Sequence, residues 1–140
     1  MSRVRMIPMR MEMVKMDKEV LELIEEVGLA NVATADLAGR PNVVPKGSIK
    51  VVDDETLLYA DLFPGITRDN LEENPQIALS FVDAKRMKGF QIKGRAKVMT
   101  SGDVFERTCE AVASLPFRLP RPYAAVIISV DEVRDLAPGS

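Results

Sequence analysis

The spacing of turns restricts this chain more than any other feature. Between Leu29 and Val130, short β-prone runs are broken by glycine, proline, asparagine or aspartate about every 8 to 12 residues. Chains punctuated in this way form antiparallel barrels or sandwiches. Parallel βαβ units need a crossover of roughly a dozen residues or more, and most connections here are shorter.

Ahead of these runs the period is helical. Val20, Leu23, Ile24 and Val27 share one face, with Asp17 placed as N-cap and Gly28 as the left-handed stop. Leu29–Ala35 then reads as a strand, followed by a polar turn at Asp36 and Gly39 and an extended segment from Pro41 to Pro45, whose prolines keep it near an edge or bulge. Ser48–Val52 and Thr56–Ala60 are short strands around Asp53-Asp54-Glu55, a solvated hairpin turn rather than a metal site. Thr67 is expected to cap a short helix that Asn74-Pro75 ends. Gln76–Val82 and Gly89–Met99 are strands separated by a basic loop. Ser101 is expected to cap a second long helix, whose buried side carries Val104, Phe105, Thr108, Cys109, Val112 and Leu115, and Tyr123–Val130 is the last strand. The total is six or seven strands, two helices and one helical turn.

At 140 residues the chain fits one domain, expected from residue 17 to 140, which can bury a core without metal or disulfide staples. It contains no histidine, and Cys109 is its single cysteine. That removes internal disulfides, zinc sites built from Cys and His, and Ser-His-Asp or Cys-His catalysis. No ligand spacing indicates another metal. Redox or acid–base chemistry would therefore fall to a cofactor. With 19 basic and 21 acidic residues the net charge is −2, which gives no general attraction to nucleic acid or an anionic membrane.

Residues 1–16 are rich in methionine interleaved with charge. They hold no unbroken apolar stretch of the kind a signal peptide or membrane span requires. Met9, Met11 and Met13 fall on one face at period two, as in an arm lying on another subunit; a flexible tail fits as well. The lone cysteine and the lack of a targeting segment point to the cytoplasm.

Three stretches can carry chemistry. In Asp61-Leu-Phe-Pro-Gly-Ile-Thr-Arg68 a strand runs through a glycine loop into a helix. A helix start offers free N–H groups and a positive dipole end to a phosphate, and Thr67 and Arg68 add a hydroxyl and a forked cation. Taken alone, an ordinary capped helix is the commoner explanation. In Asn42-Val-Val-Pro-Lys-Gly-Ser-Ile-Lys50, a continuous strand would put Lys46, Ser48 and Lys50 on one face, with Gly47 allowing close approach to the backbone. A solvated outer face is the alternative. In Phe90–Lys97, Lys93, Arg95 and Lys97 form a basic stripe. Single-strand binders interleave such stripes with aromatic platforms, and only Phe90 is near, so a solvent face with compensating acids is the better account.

Together these stretches resemble the FMN-binding split-barrel family that includes pyridoxamine 5′-phosphate oxidase. The carrying residues are Ala33-Thr-Ala-Asp36 with Gly39-Arg-Pro-Asn-Val43, Thr67-Arg-Asp-Asn-Leu71 with Asn74-Pro-Gln-Ile-Ala-Leu79, and Gly89-Phe-Gln-Ile-Lys-Gly94, in an order that fits from about Asp17 to Val130. The resemblance implies a mainly β fold, a six-stranded antiparallel Greek-key split barrel with flanking helices, acting as a homodimer with FMN at the interface. It implies that the helix start at Thr67 and Arg68 holds the FMN phosphate, that Val44, Pro45, Lys46, Gly47 and Ser48 border the flavin ring, and that Gln91 and Lys93 reach the same cofactor or the partner's. Where many relatives carry a basic residue at or just before the Thr67 position, this chain has Ile66, which leaves the charge to Arg68, Lys46 or Lys50. The family's true vitamin B6 enzymes carry an Arg/His-containing substrate motif that is not found here. The expectation is an FMN-dependent oxidoreductase of unassigned substrate. The alternatives are a flavin-binding or electron-transfer protein without its own substrate and, less favoured, a nucleic-acid-binding barrel.

Overall fold

A computed structural model describes residues 13–137. Of the expected arm or tail, residues 1–16, residues 1–12 lie outside the described residues; at its end the Val14 N–H donates to the Val130 carbonyl at 2.8 Å. Helix α1 spans Lys18–Val27. Asp17 caps it by accepting from the Val20 N–H at 3.2 Å, and Gly28 ends it at φ 67°, a left-handed conformation that costs glycine little. Its buried face, Val20, Leu23 and Ile24, packs into the core.

Seven strands follow: β1 (Ala30–Ala35), β2 (Pro41–Lys46), β3 (Lys50–Asp53), β4 (Thr56–Asp61), β5 (Gln76–Asp83), β6 (Lys88–Met99) and β7 (Ala124–Asp135). Helices α2 (Ile66–Glu73) and α3 (Asp103–Ala113) interrupt them. The strands form one sheet in the order β2-β1-β5-β6-β7-β4-β3, and each paired neighbour is antiparallel. The two outer strands, β2 and β3, are consecutive in the chain and joined only by Gly47-Ser48-Ile49. This is the mainly β split barrel with flanking helices, built with seven strands where six were expected. Six is the number the family resemblance implies; the turn spacing allowed seven, with the segments on either side of Gly47 counted apart, and they lie at opposite ends of the sheet.

The core follows period-two alternation. Val32, Leu57, Tyr59, Leu79, Phe81, Ile92, Val126, Ile128 and Val130 are all buried and project from successive strands into one cluster, closed by α1. Met16 belongs to that cluster, and its N–H reaches the Asp54 carbonyl at 2.6 Å.

Three boundaries depart from expectation. Strand β7 continues to Asp135 rather than stopping at Val130, because the charged run Asp131–Asp135 pairs with the start of β6. Helix α3 begins after Gly102 rather than at a Ser101 cap, and of its expected buried side Val104 and Leu115 are exposed, Leu115 lying past the helix end. Helix α2 begins after Gly65 rather than at a Thr67 cap. Both glycines lack a side-chain capping bond, so neither start has the signature that a sequence reading seeks.

Candidate functional site

Helix α2 leaves β4 through the loop Leu62–Gly65. Gly65 is extended (φ 175°), and no described side chain accepts from the first turn of the helix. The expected cap, Thr67, is instead the second helical residue and is buried. Its Oγ1 accepts a hydrogen bond from Asn42 Nδ2 at 3.3 Å, which ties the helix to β2. The start of α2 is therefore a dipole end whose donors no described side chain satisfies, with Thr67 still part of its wall.

A cavity of about 260 Å³ opens at this point. Asn42, Val44, Pro45 and Lys46 of β2 form one side, Asp61 lies at the end of β4, and residues 63–68 form the other side. Phe63 and Ile66, both largely exposed, give this side an apolar edge.

Its charges are ordered. Arg68 Nε donates to Asp61 Oδ2 at 2.7 Å, and both side chains are mostly buried, at 15% and 6% exposure. The guanidinium also lies over the Tyr123 ring, 3.9 Å from its centroid. The hydrogen bond to Asp61 raises the Arg68 pKa further above its ordinary value, so this group is a permanent cation. Lys46 sits above the Tyr59 ring, 5.2 Å from its centroid. Burial pushes the Tyr59 phenol well up, with the nearby Asp61 charge adding to the shift and Arg68 opposing it. Tyr59 is thus a neutral phenol at any physiological pH.

Of the residues expected at the site, Val44, Pro45, Lys46, Thr67 and Arg68 converge on this cavity. Gly47 follows Lys46 in the link to β3. Ser48 and Lys50 line a separate cavity of about 80 Å³, with Leu58, Tyr59 and Ala60 of β4 on one side and Thr108, Ala111 and Val112 of α3 on the other. Lys46, Ser48 and Lys50 do not share a strand face, because β2 ends at Lys46 and the chain turns before β3 starts at Lys50. Gln91 and Lys93 line neither of these two cavities. On β6 they stand opposite Arg134 and Glu132 of β7, and Lys93 Nζ lies 3.7 Å from Glu132 Oε2.

A family model for pyridoxamine 5′-phosphate oxidase matches residues 16–137. The chain belongs to the pyridoxamine 5′-phosphate oxidase family. It is 34% identical over 128 residues to an uncharacterized protein of Methanocaldococcus jannaschii, covering 90% of this chain and 84% of that one. Among solved structures, HupZ of Group A Streptococcus superposes with a TM-score of 0.80 at 35% identity, covering 89% of this chain and 97% of that one. An FMN-binding protein of Syntrophomonas wolfei (TM-score 0.70, covering 86% and 88%) and the heme storage protein HutZ of Vibrio cholerae (0.62, covering 86% and 94%) are each 17% identical and share the fold alone.

Within this pyridoxamine 5′-phosphate oxidase-family chain, sequence reasoning assigned no role to Asp61, Tyr59 or Tyr123. Asp61 carried a usable signal. Leu57, Tyr59 and Asp61 alternate onto the buried face of β4, and a carboxylate placed there demands a partner, which Arg68 supplies. Tyr123 follows a proline-rich loop and shows no such pattern. The donor set suits an anionic group: an open helix start, the Thr67 hydroxyl, an ammonium and a guanidinium lie around one cavity.

Proposed function

We propose that this chain binds FMN, with the phosphate at the start of α2, as a homodimer that holds the flavin at the subunit interface and acts as an oxidoreductase. The observation that carries this reading is the cavity itself, where the uncapped first turn of α2 faces Lys46 across an opening also lined by Thr67 and Arg68. When bound, FMN supplies the hydride or electron transfer. The chain's own residues anchor and orient it: the first-turn N–H groups and Thr67 donate to phosphate oxygens, Lys46 and Arg68 offset their charge, and the β2 residues Val44–Lys46 with Gly47 and Ser48 border the ring. Ser48, Lys50, Gln91 and Lys93 lie away from the cavity in one protomer. In this reading they meet the flavin where it extends over β3 or where the partner packs.

A deazaflavin and haem are the competing cofactors within this fold, and mass identification of the extract tells a deazaflavin from FMN. The chain offers no histidine as an axial ligand and Cys109 is buried, which supports flavin over haem.

The test is the visible spectrum of the purified protein, with any released cofactor identified by mass and the oligomeric state measured by light scattering. Flavin bands with FMN in the extract, on a dimer, are the expected result. A colourless protein that takes up no added FMN overturns the cofactor. A Soret band replaces it with haem, and a monomer that holds FMN removes the interface.

A further inference from the structure

The Arg68–Asp61 pair poses a question of charge. A carboxylate beside an anion site cancels the cation it touches and repels the ligand, yet Asp61 lines the cavity and is buried there. The geometry of the pair gives the answer. Asp61 takes Nε, the inner donor of the guanidinium, at 2.7 Å, and no described side chain takes the two terminal amino groups. The Tyr123 ring, 3.9 Å from the guanidinium carbon, fixes the plane of the fork from one face. The Tyr123 N–H also donates to the Asp61 carbonyl at 2.8 Å, so ring and carboxylate are set by the same stretch of backbone pairing. An arginine held by its inner nitrogen and one face keeps its paired outer N–H groups directed outward as a rigid donor. Arg68 is the third residue of α2, within the same first turn as the open N–H groups.

We infer that Asp61 and Tyr123 are positioning residues: they clamp Arg68 so that its terminal amino groups complete the anion seat at the start of α2. The inference rests on the FMN reading for the identity of the anion, a phosphate monoester, but not for the clamp itself. The clamp supplies from inside the helix the forked cation that Ile66, exposed at the cavity edge, does not provide. The gain in placement outweighs the charge that Asp61 cancels, because a mobile arginine loses the entropy of ordering each time it binds.

A double-mutant cycle separates this from simple charge cancellation. Wild type, Asp61→Ala, Arg68→Met and the double variant are titrated with FMN, with riboflavin, which lacks the phosphate, and with inorganic phosphate. Each single change is expected to weaken FMN and phosphate binding about tenfold or more, the double variant no further, with riboflavin unchanged. Tighter FMN or phosphate binding by Asp61→Ala shows that the carboxylate only cancels charge and overturns the clamp. Additive losses, or equal losses for FMN and riboflavin, overturn it too. If Asp61→Ala does not fold, Tyr123→Leu and Arg68→Lys take its place: the first removes the ring, the second keeps the charge without the fork, and unchanged phosphate affinity in both sinks the proposal. A wild type that binds phosphate through this cycle but no flavin refutes the FMN reading while leaving the clamp standing. A wild type that binds neither refutes both.

Discussion

Thr34 and Asn42 face each other across the β1–β2 ladder, and each is joined to α2 by one side-chain hydrogen bond. Asn70 Nδ2 donates to Thr34 Oγ1 at 3.1 Å, and Asn42 Nδ2 donates to Thr67 Oγ1 at 3.3 Å. Thr67 and Asn70 are three apart and share a helix face. They make up most of what α2 buries, Leu71 being the third residue. A helix seated by directional bonds instead of an apolar stripe has its axial position fixed, and that position sets where its N-terminus meets β2.

Breaking the inner bond tests this attachment. Asn70→Ala strands the Thr34 hydroxyl in a buried position, and the expected loss is about 1–3 kcal/mol of stability in urea unfolding. Thr34→Val in the Asn70→Ala background should then cost little more, because the shared bond is already gone. Fully additive losses would show that the two residues stabilise the fold separately.

Gly94 is the tightest point of the sheet. The β6–β7 register shifts between Lys93 and Gly94, and a Cβ built on Gly94 would run into the Ser129 carbonyl oxygen of the neighbouring strand. The obstruction is backbone, which cannot rotate away, so Gly94→Ala is expected to destabilise by about 2–3 kcal/mol. Gly47→Ala is the control, since its Cβ would meet nothing within 4 Å. It should fall within about 0.5 kcal/mol of wild type by chemical denaturation. Equal midpoints for the two variants would refute the steric account.

These particulars show which parts of the molecule the sequence made legible. Helix α1 was readable at both ends because Asp17 and Gly28 act locally, through a bond three residues on and through one backbone angle. Thr67 misled because its hydroxyl is engaged by Asn42, 25 residues away, while an extended glycine starts the helix without a side-chain bond. The end of β7 was missed because Asp131–Asp135 looks like a solvated terminus until the basic residues of β6 are set beside it, with Lys93 opposite Glu132. Local patterns gave an antiparallel barrel or sandwich and the stretches holding Thr67, Arg68 and Lys46, while the split barrel and the β2 residues Val44 and Pro45 came with the family resemblance. The Arg68–Asp61–Tyr123 cluster came from neither, since its third member arrives from a strand start 55 residues further along the chain.

Tyr59 makes alkaline stability a further test. Burial raises its phenol pKa in the folded protein far above the value near 10 that the unfolded chain has. Below pH 10 both states keep the proton, and this group adds no pH dependence. Above pH 10 the unfolded state loses its proton while the folded state retains it, so stability falls as pH rises toward the folded pKa. The urea midpoint is expected to drop between pH 10 and 11 by more in wild type than in Tyr59→Phe. Parallel curves for the two proteins would show that the ring is free to ionise in place.

Lys46 is the second cation at the cavity, beside the clamped Arg68. Arg68 shares part of its charge with Asp61, and Lys50 lines the cavity beside α3. Lys46 lines the cavity at α2, makes no ion pair with a described residue, and rests on the Tyr59 ring, which cannot neutralise it. An ammonium facing an uncapped helix start is the charge most responsive to a phosphate. Lys46→Met is therefore expected to weaken FMN binding about tenfold, to leave riboflavin binding nearly unchanged, and to flatten the salt dependence of FMN affinity. Thr67→Ala should also weaken FMN selectively, through the lost hydroxyl donor. Lys50→Met should spare the ratio of FMN to riboflavin affinity, since its side chain lies on the far side of the β2–β3 turn. A Lys50→Met loss larger than that of Lys46→Met would move the phosphate to the cavity beside α3 and leave the start of α2 an ordinary, solvated helix end.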